Sequence, residues 1–265
     1  MAKNEIDEQD LLSPGYDDED EEEEDNGSSM TLVEHLEELR WRIFKSIIAI
    51  VVGACVAFIF RGQILGFLEL PLPTKLAEPS FTGGKVVVTG ITEGFTVYLL
   101  ISIAVGFVAT LPVVLYQMWA FIAPGLLAKE KKYAVPFIFA GLALFAAGVA
   151  LGYIVLQYPV QWLVTFGSES FAELISAGSY FTFVAFFLLA FGVVFEIPLV
   201  LTFLAQVDLI SSRTLTKKRA VSHVSMWIAS TFLTPGADIY SPIFLGVSMS
   251  CLYELSIIFI KIIKK

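Results

Sequence analysis

A single carboxylate stands inside a long apolar run of this chain. Glu196 lies within residues 181–207, and no other residue of that run carries a charge. An ionisable side chain near the centre of a membrane helix costs roughly 2.5 kcal/mol or more on insertion scales, so such a residue faces protein or a water-filled cavity and usually has a function. Pro198 follows two residues later; it lacks a backbone N–H and leaves a carbonyl for neighbouring groups to satisfy. The pattern predicts a buried polar task for Glu196, either contact with another protein or proton transfer.

Two further carboxylates lie beside basic residues at the ends of apolar runs. Glu38 stands four residues before Arg42, and Glu130 is the one acid among the lysines of residues 129–132. Leu32, Leu36 and Leu39 form an apolar stripe beside Glu38. This spacing predicts an amphipathic helix along the membrane surface. Taken singly, the first acid belongs to a surface ion pair worth about 0.3 kcal/mol, and the second to a solvated loop.

The amino-acid composition indicates the class of protein in which these carboxylates lie. Hydrophobic residues make up 56% of the chain, charged residues 16%, and the mean hydropathy is +0.76. These values are typical of a polytopic membrane protein and exclude an ordinary soluble domain. Of the 26 acidic residues, 13 lie within residues 5–25, so residues 1–30 are expected to be a disordered, acidic cytoplasmic tail. Residues 31–265 then form the membrane domain.

Six apolar runs are candidates for spanning helices. They cover residues 43–60, 97–122, 134–157, 181–207, 221–233 and 243–260. The fifth run has only 13 residues, about 20 Å of helix against a hydrocarbon core of roughly 30 Å, so it must thin the bilayer or extend into its polar flank. We expect an all-α integral membrane protein with six transmembrane helices, of which the last two are short.

The basic residues predict the orientation of these helices. Six spans put both termini on one side of the membrane, and that side receives 14 of the 17 basic residues. Only Arg61, Lys75 and Lys85 remain for the opposite side. The positive-inside rule therefore places both termini in the cytoplasm.

The two outer loops contain elements of their own. The VVVTG stretch of residues 86–90 is expected to form a short strand or an extended segment. The second loop begins with Tyr158, Trp162 and Phe166, spaced four apart, which indicates a helix lying in the outer membrane interface.

Four motifs in a fixed order resemble one family of membrane proteins. They are HLEELRWRI at residues 35–43, LPVVLYQMWAFIAPGL at 111–126, FGVVFEIP at 191–198 and LTPGAD at 233–238. The chain resembles the TatC family, the multispanning subunit of the twin-arginine protein translocase, over about residues 31–260. One departure is the pair Pro235-Gly236, where many members of the family have adjacent prolines.

The resemblance implies a receptor for folded exported proteins whose signal peptides carry two adjacent arginines. A guanidinium presents a planar fork of donors that a carboxylate accepts in pairs. By the resemblance, Glu38 and Glu130 receive the arginine pair, Phe121 and Pro124 shape the neighbouring pocket, and Arg40 orients the amphipathic helix.

The resemblance also implies roles for residues deeper in the membrane and on the outer face. Glu196 is expected to hydrogen-bond a polar residue of a single-span partner subunit, whereas Glu254 is interpreted as a local structural acceptor. Pro71 and Asp238 match outer-face positions that matter for assembly, and turn chemistry is the alternative for Asp238 because Pro, Gly and Asp suit a tight hairpin.

The functional hypothesis is a receptor and core scaffold of a twin-arginine translocase. Its expected partners are signal peptides, TatA-type and TatB-type single-span subunits, the lipid bilayer and further copies in an oligomer, but no nucleic acid. Export driven by the proton gradient follows from the resemblance alone, and the long acidic tail favours a bacterial cytoplasmic membrane over a thylakoid membrane. A proton-coupled secondary transporter that uses Glu196 is the alternative, and a purely structural assembly factor is a third possibility.

No catalytic or metal-binding pattern accompanies these motifs. Cys55 and Cys251 lie in separate apolar runs, and His35 and His223 have no third ligand nearby in sequence, so neither a disulfide nor a metal site is expected. The chain contains no glycine-rich phosphate loop and no nucleophile elbow. We therefore expect neither an enzyme nor a bound cofactor.

Overall fold

The computed structural model describes residues 32–72, 86–125, 134–166, 174–236 and 238–263. The ten α-helices of these ranges are α1 (Leu32–Ile59), α2 (Arg61–Glu69), α3 (Glu93–Ile122), α4 (Ala134–Val155), α5 (Gln157–Phe166), α6 (Ala177–Val194), α7 (Ile197–Gln206), α8 (Ser212–Lys217), α9 (Arg219–Leu233) and α10 (Tyr240–Ile263). The predicted disordered tail of residues 1–30 lies outside the described residues.

The protein is an all-α integral membrane protein, as predicted. Five helical segments are long and apolar enough to cross a membrane: Val33–Ile59, Glu93–Ile122, Ala134–Phe166, Ala177–Gln206 and Tyr240–Ile263. Within the described ranges, the one β-bridge joins Val87 to Ser176. The VVVTG stretch is therefore extended there, and its Val87 exchanges backbone hydrogen bonds with Ile175 and Ala177, each at 2.8 Å.

The last two helices differ in length. Helix α9 has 15 residues, about 22 Å, which is too short to cross a 30 Å core alone. Helix α10 has 24 residues, so the prediction of two short helices is correct for α9 and wrong for α10. The apolar run underestimates the length of α10 because the run stops before Lys261, whereas the helix continues through it. The aliphatic part of the lysine side chain can lie against apolar groups while its ammonium reaches water.

The fourth predicted span is one membrane crossing built from two helices. Helix α6 ends at Val194, Phe195 and Glu196 form a turn, and α7 begins at Ile197 with a proline in its first turn. Pro198 is favourable at that position because the first N–H groups of a helix have no intrahelical partner. The break places Glu196 at a helix junction instead of in a continuous helix.

Helix α1 packs on α3 through a close crossing of small residues. A methyl group on Gly53 would lie 2.8 Å from the carbonyl oxygen of Gly106 and 2.7 Å from the Thr110 side chain, so both glycines are needed for this approach. Small residues at such crossings let membrane helices gain close packing where lipid offers no hydrophobic driving force. The crossing is accompanied by contacts between the first half of α1, which carries the HLEELRWRI motif, and the end of α3.

The helix predicted from the spacing of Tyr158, Trp162 and Phe166 is present as α5. Its Tyr158 ring lies 5.4 Å from Phe244, and its Trp162 ring lies 6.5 Å from Tyr240. These aromatic contacts join α5 to the first turns of α10, so the stripe predicted for the membrane interface is partly used for packing within the protein.

Candidate functional site

Glu38 is held by an arginine of its own helix. Both Nε and Nη2 of Arg42 donate to Oε1 of Glu38, at 3.2 and 2.8 Å, and the two side chains are 18% (Glu38) and 24% (Arg42) exposed. The predicted pair four residues apart is therefore present. The other carboxylate oxygen, Oε2, is shielded from solvent and has no hydrogen-bond partner among the described residues.

The same region connects α1 to the end of α3. Nη1 of Arg42 donates to Oε1 of Gln117 at 3.2 Å. One turn earlier in α1, the His35 ring stacks on Phe121, with centroids 4.3 Å apart and planes 15° apart. The ion pair and the stack thus place Glu38 and Phe121 at the same junction of α1 and α3.

The remaining residues of the predicted site have different positions. Arg40 is exposed and lines a small groove with Trp41 and Phe44, on a face away from Glu38, because residues two apart on a helix do not face each other. Pro124 lies in a 3-10 turn, Ala123–Gly125, that follows α3 and is exposed. Glu130 lies outside the described residues.

Glu196 faces neighbouring helices. Both of its carboxylate oxygens are shielded from solvent and have no hydrogen-bond partner in the described part of the chain. A methyl group on Gly141 of α4 would lie 3.3 Å from Oε2 of Glu196 and 3.1 Å from Leu115 of α3. The glycine therefore leaves space for the carboxylate between α3 and α4, which confirms that Glu196 faces protein and not lipid.

Glu254 is a structural acceptor, as predicted. Nη2 of Arg219 donates to its Oε2 at 2.6 Å, and Nε2 of His223 lies 3.0 Å from its Oε1. These contacts bind the start of α9 to α10. The described residues contain no group of three His, Cys, Asp or Glu side chains placed to hold a metal ion.

Asp238 and Pro71 lie in turns. Asp238 is buried, and its two oxygens accept from the backbone N–H and the hydroxyl of Ser241, each at 2.6 Å. This geometry caps the start of α10 and supports the turn-chemistry alternative for Asp238. Pro71 is half-buried in the turn that follows α2.

Glu93 is an acidic residue that sequence reasoning missed. Its carboxylate accepts from the backbone N–H groups of Thr89, Gly90 and Gly178 at 2.5, 3.0 and 2.6 Å, from the Thr89 hydroxyl at 2.8 Å, and from the Ser176 hydroxyl. It therefore joins the start of α3 to the start of α6. A signal was present, because an acid that follows a Thr-Gly pair at a helix start is placed for capping.

Comparisons with known proteins agree with this architecture. The family described as Sec-independent protein translocase protein (TatC) matches residues 34–247. The TatC proteins of Desulforapulum autotrophicum and Carboxydothermus hydrogenoformans are each 37% identical to the chain; the alignments cover 85% and 89% of this chain and 82% and 94% of those proteins. A crystal structure of the twin-arginine translocase receptor TatC superposes with a TM-score of 0.73 at 31% identity, covering 88% of this chain and 100% of that one.

The family match includes the α1–α3 junction, Glu196 and the α9–α10 hairpin. The proteins of this family are transport subunits and not enzymes. From its membrane helices, its motifs and these relatives, the chain belongs to the TatC family, the multi-pass membrane subunit of the Sec-independent protein translocase.

Proposed function

We propose that this translocase subunit is a receptor for twin-arginine signal peptides, with Glu38 as one of the acids that bind the arginine pair. The observation that carries the proposal is the state of the Glu38 carboxylate. One oxygen is held by Arg42, and the other is shielded and without a partner among the described residues. A buried acceptor without a donor costs about 1–3 kcal/mol, which a guanidinium from a ligand would offset by donating to Oε2.

The surroundings of Glu38 support a binding site for a peptide. Arg42 and Gln117 hold the carboxylate against α3, so little side-chain freedom remains to be lost on binding. The stacked His35 and Phe121 rings supply an apolar contact for residues that flank the arginines. We propose Glu130 as the second acid, Pro124 as part of the pocket and Arg40 as a residue that orients α1 at the surface.

Glu196 is proposed as a contact for single-span subunits of the TatA and TatB type. Its two oxygens lack partners, so a polar side chain on an incoming helix would satisfy an acceptor that the described chain leaves open. The local space made by Gly141 allows the carboxylate to adjust as the partner docks.

We propose assembly roles on the outer face for Pro71 and Asp238.

The proposed setting is a bacterial cytoplasmic membrane with both termini in the cytoplasm. The excess of basic residues beside α1, α8 and the end of α10 supports this orientation. Helix α9 then acts as a sixth, short membrane segment joined to α10. In this proposal several copies of the chain assemble into an oligomeric complex, and the proton gradient drives the export of cargo through it.

Crosslinking tests the proposal. Photoreactive probes at Leu36 and Phe121 are combined with a twin-arginine peptide or its Lys-Lys variant, in membranes that contain the full chain. We expect crosslinks that require the arginine pair and that are lost in Glu38→Gln. Glu37→Gln is the matched control, because Glu37 is the adjacent acid and is exposed. Equal labelling by both peptides, or unchanged labelling in Glu38→Gln, would reject the site.

A further inference from the structure

An apolar groove on the opposite half of the molecule is used by none of the sites above. It has a volume of about 750 Å³ and lies between α2, α3, α4 and α6; its walls include Ile64, Phe67, Ile101, Val108, Ala150 and Leu188. This volume is within the range of roughly 300–1,000 Å³ that is typical of ligand pockets. The groove is therefore large enough to hold a ligand and is too large to be a packing defect.

The groove opens to the surroundings of the protein and has apolar walls. Two of its lining residues, Phe67 and Ile154, are 55% and 61% exposed. The Phe67 ring stacks on Tyr153 at 4.5 Å, and the Tyr153 hydroxyl donates to the carbonyl oxygen of Phe67 at 2.8 Å. Because the backbone satisfies the phenol group, Tyr153 contributes to the wall without an open hydrogen-bonding group.

A cation stands next to the end of this groove. Arg61 is the first residue of α2, and it packs on Tyr98, which lies three residues before the groove residue Ile101 on the same face of α3. The guanidinium lies over the rings of Phe58 and Tyr98, at 4.8 and 5.4 Å, and its Nη1 donates to the carbonyl oxygen of Phe58 at 3.1 Å. These contacts orient an exposed guanidinium whose remaining donors suit an anion.

The position of Arg61 corresponds to a membrane boundary. It follows α1 by two residues and lies 19 residues after Arg42, about 28 Å along a helix axis, which is close to the roughly 30 Å thickness of a hydrocarbon core. A cation at the boundary and an apolar groove at bilayer depth match the two parts of a phospholipid, its phosphate and its acyl chain.

We propose that this groove is a binding site for an anionic phospholipid, with one acyl chain between α2, α3, α4 and α6 and the headgroup phosphate on Arg61. Charge complementarity selects an anionic headgroup over a zwitterionic one, since the positive group of a zwitterionic headgroup cancels its net charge and is repelled by Arg61. The lipid connects four helices that enclose the groove. The proposal is independent of signal-peptide binding.

Photocrosslinking with a labelled lipid tests the site. The purified full chain is reconstituted with phosphatidylglycerol that carries a diazirine in one acyl chain, and labelled residues are mapped by mass spectrometry. We expect labels on the groove residues of α2 and α4 above those on exposed residues of α1 such as Val51 and Val56. The same probe with a phosphatidylcholine headgroup should label the groove less.

Two variants and one control separate the lipid site from general membrane contact. Ala150→Phe places a ring in the groove and should lower labelling of the groove residues about tenfold. This is the loss expected when about two methylene groups of the acyl chain lose their apolar contacts. Arg61→Gln should lower phosphatidylglycerol labelling about fivefold, since one basic residue at a membrane surface contributes about 1 kcal/mol, and should leave phosphatidylcholine labelling unchanged. Ala147→Phe, an exposed alanine of the same helix outside the groove, should leave both unchanged.

Three results would overturn the proposal. Labelling of the groove that equals labelling of the exposed face of α1 would show bulk lipid contact only. Labelling that Ala150→Phe does not change would place the acyl chain elsewhere. Labelling present in the purified protein but absent in native membranes would assign the groove to a protein helix.

Discussion

The carboxylates of Glu38 and Glu196 differ in what their own chain provides for them. Glu38 lies near the start of α1, where Arg42 on the same helix reaches one of its oxygens. Glu196 lies inside the Ala177–Gln206 span, where no described residue donates to either oxygen. At the membrane surface a helix accommodates a cation one turn away, whereas at bilayer depth an added cation would itself be costly.

Under the proposed function, the difference predicts how each acid would bind its ligand. One carboxylate oxygen of Glu38 accepts hydrogen bonds from Arg42, and the other has no partner among the described residues. The second oxygen can therefore accept from a charged donor of a ligand while Arg42 holds the side chain in place. Glu196 has two open oxygens in a space left by Gly141, so a neutral hydroxyl or amide donor from a membrane helix suits it. Two further carboxylates, Asp238 and Glu93, are fully engaged by nearby donors and have structural positions.

The largest expected effect comes from reversing the charge at the unpartnered acid. Glu196→Arg places a larger, permanently charged group between α3 and α4 and should destabilise the protein by about 3 kcal/mol or more. The measurement is thermal unfolding of the purified protein in detergent, together with its level in membranes. Glu196→Gln is the control and should remain folded, because an amide is neutral and nearly the same size. An Arg variant as stable as the wild type would mean that the site opens to water.

Removing the cap of α10 tests the claim that Asp238 is structural. Asp238→Ala removes both acceptors of Ser241 and should lower the free energy of unfolding by about 1–2 kcal/mol, the typical cost of a lost helix cap. Asp238→Asn keeps an acceptor oxygen and should recover most of that loss. If Asp238→Asn is fully stable but the assembled complex is lost, the residue has a role in assembly as well.

Removing the arginine that pairs with Glu38 tests whether this ion pair positions the carboxylate. Arg42→Ala leaves the carboxylate without its donor and should cost about 1 kcal/mol in stability. It should also weaken twin-arginine peptide binding, measured by fluorescence anisotropy, because Glu38 is no longer held against α3. Arg213→Ala, at an exposed position of α8, controls for the loss of one positive charge. Tighter binding in Arg42→Ala would show that Arg42 competes with the peptide instead of positioning Glu38.

The smallest expected effect is at Gln117. Gln117→Leu removes the acceptor of Arg42 Nη1 but keeps the Glu38–Arg42 pair, so the stability change should be about 0.5 kcal/mol. Peptide binding should decrease less than in Arg42→Ala. A double-mutant cycle of the two positions should give a non-additive term, because their side chains are in contact; strict additivity would show that the Arg42–Gln117 bond has no role.

Much of the fold was predictable from apolar run length. The structure confirms the predicted start of one helix at Ala134 and the end of another at Ile122, because the bilayer requires about 20 apolar residues for a crossing. The ion pair of Glu38 with Arg42 was predictable for a similar reason: both partners lie on one helix, and helix geometry alone brings residues four apart together.

Contacts between distant segments were not predictable in this way. The Arg42–Gln117 bond joins residues 75 apart in the chain, and the Ser176–Glu93 bond joins residues 83 apart. Gly141 beside Glu196 has no sequence signal either, because a glycine in an apolar helix is common in membrane proteins. These pairs exist only once the helices have packed.

The sequence by itself determined that the chain is helical and membrane-embedded, that it carries the motifs of its family, and that Glu196 must face protein or a water-filled cavity and not lipid, since each of these follows from local polarity and spacing. Only the tertiary structure decided which acids are satisfied and which remain open. The hydrogen-bond partners of Glu93 and Glu254, and the lack of a described partner for Glu196, depend on which helix lies beside which, and no periodicity within a single segment encodes that arrangement.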